Sequence, residues 1–288
     1  MDFQNPKFNH LLDTWLDEDL GRGDLSSVSL NKHGSAYWLA KQSGVFCGGT
    51  LAKRIFQRLD TSIEVDLLRK EGEYFQKGQR LLEVHGPTAS LASGERTALN
   101  LAMRLSGIAT TTAALVKELK GTGIHLADTR KTTPGLRVVE KYAFRCGGGI
   151  NHRLGLDDAA MLKENHIAWA GSITQAVNKI KATAPWTSKI IVEVETPEQA
   201  EEATIAGVDG ILLDEIAPNV LIDLVPKLRA LASRTNSDDG TGRIVLEASG
   251  VDPMQIKAFA KTGINLISTS APMTRSKWSD FSMRFEAG

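Results

Sequence analysis

Seven Lys and Arg residues fall between positions 130 and 163: Arg130, Lys131, Arg137, Lys141, Arg145, Arg153 and Lys163. Only three acids, Glu140, Asp157 and Asp158, stand among them, and His152 adds a titratable ring. Arg pairs bidentately with carboxylate or phosphate, and Lys supplies a mobile point charge. The whole chain is neutral, with 34 Lys and Arg against 34 Asp and Glu. The cations are therefore concentrated, which suits a pocket for a small anion. A nucleic-acid partner would need broad basic surface and is not expected.

A second set of polar residues ends successive apolar runs. The strand expectations are 123–128, 159–163, 189–195, 210–214, 243–249 and 265–270. They end in Asp128, Lys163, Glu193 and Glu195, Asp214, Glu247 and Ser249, and Ser268 and Ser270. An unpaired buried charge is costly, so charges ending five core strands point to a site. In a β/α barrel the C-terminal strand ends converge on the face where sites are built. Glu193 and Asp214, on neighbouring strands, could hold a hard cation such as Mg²⁺ together with phosphate groups. The run "CGGGIN" (146–151) could offer backbone N–H groups to an anion, or give only close packing. The loops after the last two strands occupy the place where barrels often bind phosphate. From these residues alone the chain reads as a barrel-like enzyme for a small substrate bearing carboxylate and phosphate, with the reaction left open.

The elements that must position these residues follow from pattern. The 288 residues allow one large domain or two smaller ones. Residues 9–20 and 50–60 have helical spacing, and 35–49 and 62–87 read as short strands punctuated by Gly. The 62–87 stretch resembles the turns of biotinyl or lipoyl carriers, but no Lys stands at a hairpin tip, so a purely structural β-fold is expected. A long helix is predicted over 94–119, with Gly107 marking a kink or junction. From 124 onward strands alternate with helical segments at 172–184, 196–207, 217–232 and 252–263. Continuous apolar strands fit a parallel sheet covered by helices. Six strands fall short of a closed eight-stranded barrel, so an open barrel is expected, with a doubly wound sheet as the alternative. Lys141 and Arg137 are expected on a helix, facing solvent or bound to Glu140 neighbours. Of Glu193 and Glu195, one is expected inward and the other outward. Cys47 and Cys146 have no paired spacing, and the acidic N-terminus lacks a signal-peptide pattern. No apolar run approaches a membrane span. The expectation is a cytoplasmic protein with no membrane partner.

The string "ADTRKTTPGLRVVEKYAFRCGGGINHRLGLDDAAMLKENH" (127–166) closely resembles the central signature of the quinolinate phosphoribosyltransferase family, the decarboxylating enzymes of NAD biosynthesis. "LDEDLGRGDLSS", "SGERTALNLAMRLSGIAT" and "VEVETPEQAEEATIAGVDGILLD" resemble other parts of it, and together they cover nearly the whole chain in order. The resemblance implies an N-terminal α/β sandwich (1–120), an open β/α barrel (121–274) and a tail (275–288) that returns to the first domain. It implies quinolinate and phosphoribosyl pyrophosphate as substrates, Mg²⁺ as cofactor, and a homodimer with shared sites, alone or within a hexamer. Arg96 would reach the partner's site. Thr129, Arg130, Lys131, His152, Arg153 and Lys163 would line the quinolinate pocket. Glu193 and Asp214 would face the ribose and pyrophosphate through Mg²⁺. Lys131, Lys163, Glu193 and Asp214 are the residues to which it gives catalytic roles. Ser249 and Gly250, with Ser268, Thr269 and Ser270, would hold the 5′-phosphate.

The chain departs from the family pattern at Val251, where Gly or Asn is common, at Ser270 and Glu215, where Gly and Asn are common, and in "NSDDGTG" (236–242), which reads as an insertion. Two other readings stay open: a molybdenum-transport-associated paralogue of the same fold, and a non-enzymatic phosphate-binding scaffold.

Overall fold

The computed structural model describes residues 5–235 and 244–286, so the 236–242 segment lies outside the described residues. Two compact units are present. One comprises the described residues up to 113, with 139–148 and those from 275 onward; the other comprises 114–138 and 149–274.

In the first unit β1 (His33–Ala40) buries Ala36, Trp38 and Ala40 on one face, the period of two expected of a half-covered strand. It pairs antiparallel with β5 (Arg80–Pro87) and with β12 (Phe281–Glu286), and β5 also pairs with β3 (Glu64–Leu67). A two-stranded piece, β2 (Gly44–Val45) with β4 (Tyr74–Phe75), accompanies this sheet. Helices α1 (Pro6–Leu20) and α2 (Gly49–Leu59) belong to the same unit. The tail is held by its side chains as well as its ladder. Phe281 lies 5.4 Å from Phe75, 6.2 Å from Phe46 and 6.4 Å from Trp38, ring centre to ring centre.

Helix α3 starts earlier than predicted, spanning Thr88–Glu118. Gly94 therefore lies inside it. A Cβ there would meet Leu59 at 2.9 Å and Phe56 at 3.0 Å, so the glycine serves close packing on α2. Gly107 also lies inside the continuous helix. A Cβ at this position would lie 2.1 Å from the carbonyl oxygen of Lys277, which makes it the place where the tail backbone crosses the helix. By length and composition α3 could cross a membrane, which the sequence reading had missed. Thirteen of its residues are buried, among them Leu91, Leu99, Leu105 and Ile108, as in a core helix. Helix α4 (Arg137–Cys146) corrects another expectation, because Lys141 is fully buried. Its neighbour Glu140, also fully buried, accepts from Arg104 at 2.7 Å.

In the second unit all neighbouring strands are parallel, in the order β6 (His125–Ala127), β11 (Leu266–Ser268), β10 (Val245–Ser249), β9 (Gly210–Asp214), β8 (Ile190–Val194) and β7 (Ala160–Leu162). Sequence neighbours β7 to β11 run side by side, and β11 then pairs with β6. The break therefore falls between β6 and β7, which is the signature of an open barrel. Ile150 forms a single parallel bridge to Ala127 on the open side of β6. Helices α7 (Pro197–Ile205) and α8 (Pro218–Thr235) follow β8 and β9, so their N-termini, the positive ends of their dipoles, follow the C-terminal strand ends. Between β10 and β11 the predicted helix is instead a 3₁₀ segment, Pro253–Lys261. Ile256, Phe259 and Thr262 are buried, a spacing of three that suits 3.0 rather than 3.6 residues per turn.

Candidate active site

The C-terminal ends of the second unit's strands open into a cavity of about 330 Å³. Each strand contributes residues from its middle to just beyond its C-terminal end. From β6 come Asp128, Thr129, Arg130 and Lys131; from β7 Met161 and Lys163; from β8 Glu193. Leu212 and Asp214 come from β9, Glu247 and Ser249 from β10, and Ser268 from β11. His152 and Arg153, on the segment after Ile150, complete the lining. Residues as far apart in the chain as Asp128 and Ser268 thus meet because a parallel barrel sends every strand end to one face.

Within this cavity the cations are held in defined ways. Lys163 Nζ donates to Glu193 Oε2 at 2.5 Å. Arg153 donates from one guanidinium nitrogen to the carbonyl of Ala159 at 2.9 Å, leaving the rest of its fork for other acceptors. Burial, and then the nearby Arg130, pull the Arg153 guanidinium below its usual pKa. Two cations forced together in a partly desolvated place are relieved by an anion.

His152 has a different position from that of a simple anion ligand. Its Nδ1 accepts from the backbone N–H of Arg153 at 2.7 Å, so the ring proton belongs on Nε2, which lies 3.3 Å from Glu247 Oε2. Its backbone N–H donates to Asp128 at 2.8 Å, and Asn151 donates to the other oxygen of the same carboxylate at 2.6 Å. Asp128 is fully buried, and Glu247 is 3% exposed. The two carboxylates fix the Asn151–Arg153 segment within the open side of the barrel. Their positions as strand-end acids were visible in the sequence, but their pairing with 151–153 was not.

Several expected residues lie elsewhere. Gly250, Thr269 and Ser270 continue the chain from Ser249 and Ser268 without being part of the cavity lining. Thr269 Oγ1 accepts from Ala271 N, and Ser270 O accepts from Met273 and Thr274, so both organise the start of α9 (Ala271–Arg275). Arg96, in α3, has a side chain 62% exposed, 4.0 Å from Glu95. His166, on α5 (Glu164–Ala170), accepts the Lys163 backbone N–H through Nδ1 at 3.2 Å. Residues two apart on a strand share a face, so alternation does not separate Glu193 from Glu195. The separation comes from the end of β8 at Val194, which leaves Glu195 exposed beyond the strand. Met161 and Leu212 form an apolar part of the cavity that charge-based reading had no means to find.

Known proteins resemble this chain in sequence and in fold. A family model described as "Quinolinate phosphoribosyl transferase, C-terminal domain" matches residues 108–284, and its N-terminal counterpart matches 24–106. A protein from Synechocystis sp. named probable nicotinate-nucleotide pyrophosphorylase (carboxylating) is 45% identical over 276 residues, covering 95% of this chain and 90% of the relative. The human nicotinate-nucleotide pyrophosphorylase (carboxylating) is 36% identical over 281 residues, covering 96% and 91%. The crystal structure of NadC from Streptococcus pyogenes superposes with a TM-score of 0.90 at 36% identity, covering 99% of this chain and 98% of that one.

Proposed function

The chain belongs to the quinolinate phosphoribosyltransferase family, and from this premise we infer its reaction. It transfers the phosphoribosyl group of phosphoribosyl pyrophosphate to quinolinate with decarboxylation. The products are nicotinate mononucleotide, pyrophosphate and CO₂, in de novo NAD biosynthesis. The observation that carries this reading is the cavity where Arg130, Lys131, Arg153 and Lys163 meet Glu193 and Asp214.

Quinolinate is a dianion and its co-substrate carries several phosphate charges, so bringing them together requires fixed positive charge. We assign Arg130, Lys131 and Arg153 to the dicarboxylate, with Thr129 beside them. His152 acts by orienting Arg153, since both its ring nitrogens are engaged by the protein. Met161 and Leu212 give the pyridine ring an apolar surface. The ring nitrogen attacks the ribose C1 as pyrophosphate departs. No general base is needed for that step. Lys131 and Lys163 offset the charge that develops on the leaving group, and Glu193 both aims Lys163 and faces the ribose. Once the ring nitrogen is quaternary, it is the electron sink for loss of the adjacent carboxylate. Ser249 and Ser268 line the cavity and are assigned to the 5′-phosphate, with Gly250, Thr269 and Ser270 shaping the loops behind them.

The donor set fits Mg²⁺, which takes one or two carboxylates together with substrate phosphates. Asp214 is the direct candidate, and Glu193, which already accepts from Lys163, acts indirectly. When bound, Mg²⁺ would neutralise the departing pyrophosphate. We further propose a homodimer, alone or within a hexamer, in which the exposed Arg96 enters the partner's site. A cytoplasmic setting is supported by two unpaired cysteines.

The test is direct. Purified protein with quinolinate, phosphoribosyl pyrophosphate and Mg²⁺ should form nicotinate mononucleotide and CO₂, and a chelator should stop it. Absence of turnover with all three present would overturn the reading.

A further inference from the structure

The first unit contains a cluster that the reaction does not use. Cys47 Sγ, a carboxylate oxygen of Glu71 and Cys146 Sγ all lie within 4.8 Å of one another. They come from three separate segments: the loop from β2 to α2, the turn from β3 to β4, and the last residue of α4. We propose that these three side chains form a binding site for a soft divalent cation of the Zn²⁺ type.

The backbone around each residue is fixed. Cys47 donates its N–H to Ser106 Oγ at 2.9 Å, and its carbonyl accepts from the same hydroxyl at 3.0 Å. Each Glu71 oxygen accepts one backbone N–H, from Gly48 and from Thr50, both at 2.9 Å. A carboxylate oxygen has a second lone pair, so both remain able to ligate. Gly72, at φ +79°, and Gly147 let these turns approach closely. A Cβ on Gly72 would lie 3.0 Å from the carbonyl of Cys146, and one on Gly147 would lie 2.5 Å from that of Ala109.

The spacing suits a metal site. Zn–S bonds of about 2.3 Å in a tetrahedron place ligand atoms about 3.8 Å apart. The observed upper limit of 4.8 Å needs only a small inward movement of each side chain. Two sulfurs select Zn²⁺ over Mg²⁺ or Ca²⁺, which take oxygen sets. On binding, both thiols release a proton to solvent and the thiolates and carboxylate donate the metal's three protein bonds. The fourth position is open to water. Cys47 is buried, whereas Glu71 and Cys146 are partly exposed and give the ion a way in.

The experiment uses reduced, full-length protein incubated with Zn²⁺, desalted and assayed by elemental analysis. The expected result is one Zn²⁺ per chain. Co²⁺ in its place should give thiolate-to-metal charge-transfer absorption. Cys146→Ser should abolish that band, and the Cys47→Ser, Cys146→Ser double variant should retain no metal. Glu71→Gln should weaken binding roughly tenfold or more. Substoichiometric Zn²⁺ in the parent protein, or equal retention in the cysteine variants, would overturn the proposal. So would a Cys47–Cys146 disulfide on air oxidation combined with no metal retention under reductant. Circular dichroism checks that each variant is folded; if the double variant is not, Cys146→Ser at the more exposed position decides alone.

Discussion

Arg153 is held by His152 through its backbone and by Ala159 through its side chain, while the rest of its guanidinium remains available. Losing a hydrogen bond to a charged group costs about 1.5–3 kcal/mol, or roughly tenfold to a hundredfold in affinity. Arg153→Ala should therefore weaken quinolinate binding by at least tenfold in calorimetry while the melting temperature changes little. Near-normal affinity would remove Arg153 from the site. A second residue carries strain. Glu215, where the family commonly has Asn, is non-glycine at φ +54°. Asn tolerates the left-handed region better than Glu, whose longer side chain gains nothing locally there. Glu215→Asn is expected to raise stability by about 0.5–1 kcal/mol in urea unfolding; a loss would show that Glu215 makes a compensating contact. The cations and acids of the cavity were legible in the sequence because charge at the end of an apolar strand needs a reason. The locking of His152 between Arg153 and Glu247 was not, since it joins residues 95 positions apart through the open side of the barrel.

At the level of elements, period and position decided what could be read. Strands β6 to β11 were legible as apolar runs, and their count already implied an open barrel. The location of the opening depends on which strands pair, which no single run encodes. Buried Lys141 defeated the reading of α4 as a solvent-facing helix, because helical charge is normally solvated and the Arg104–Glu140 pair that accompanies it is long-range. Gly107 was read as a kink or a domain junction because glycine disfavours helix, and the two family models do meet at this residue. Its cause is instead the Lys277 carbonyl, 2.1 Å from where a Cβ would stand. Backbone cannot yield as a flexible side chain can. Gly107→Ala should therefore destabilise the protein by about 1–3 kcal/mol, the usual cost of overpacking, although alanine is the better helix former. The same substitution should make residues beyond 275 more sensitive to limited proteolysis. Unchanged stability would mean that the tail can shift without cost.

For the whole molecule, the strongest consequence concerns assembly. Arg96 is the one residue with an assigned substrate role that belongs to the first unit, whereas the cavity belongs entirely to the second. Its exposed side chain makes no close ion pair with Glu95 at 4.0 Å, so it is available to another chain. In a two-fold dimer each site would then join one chain's cavity to the partner's Arg96. Arg96→Ala and Arg130→Ala should each be inactive as homodimers. Combined in one heterodimer they leave one complete site and one doubly defective site. Heterodimers purified through two different tags should recover about half of the parent activity per dimer, and an unsorted equal mixture about a quarter. These ratios discriminate, because a site built within one chain would leave both halves of the heterodimer defective. Purified heterodimers with no activity would therefore place Arg96 outside the partner's site, whatever the oligomeric state.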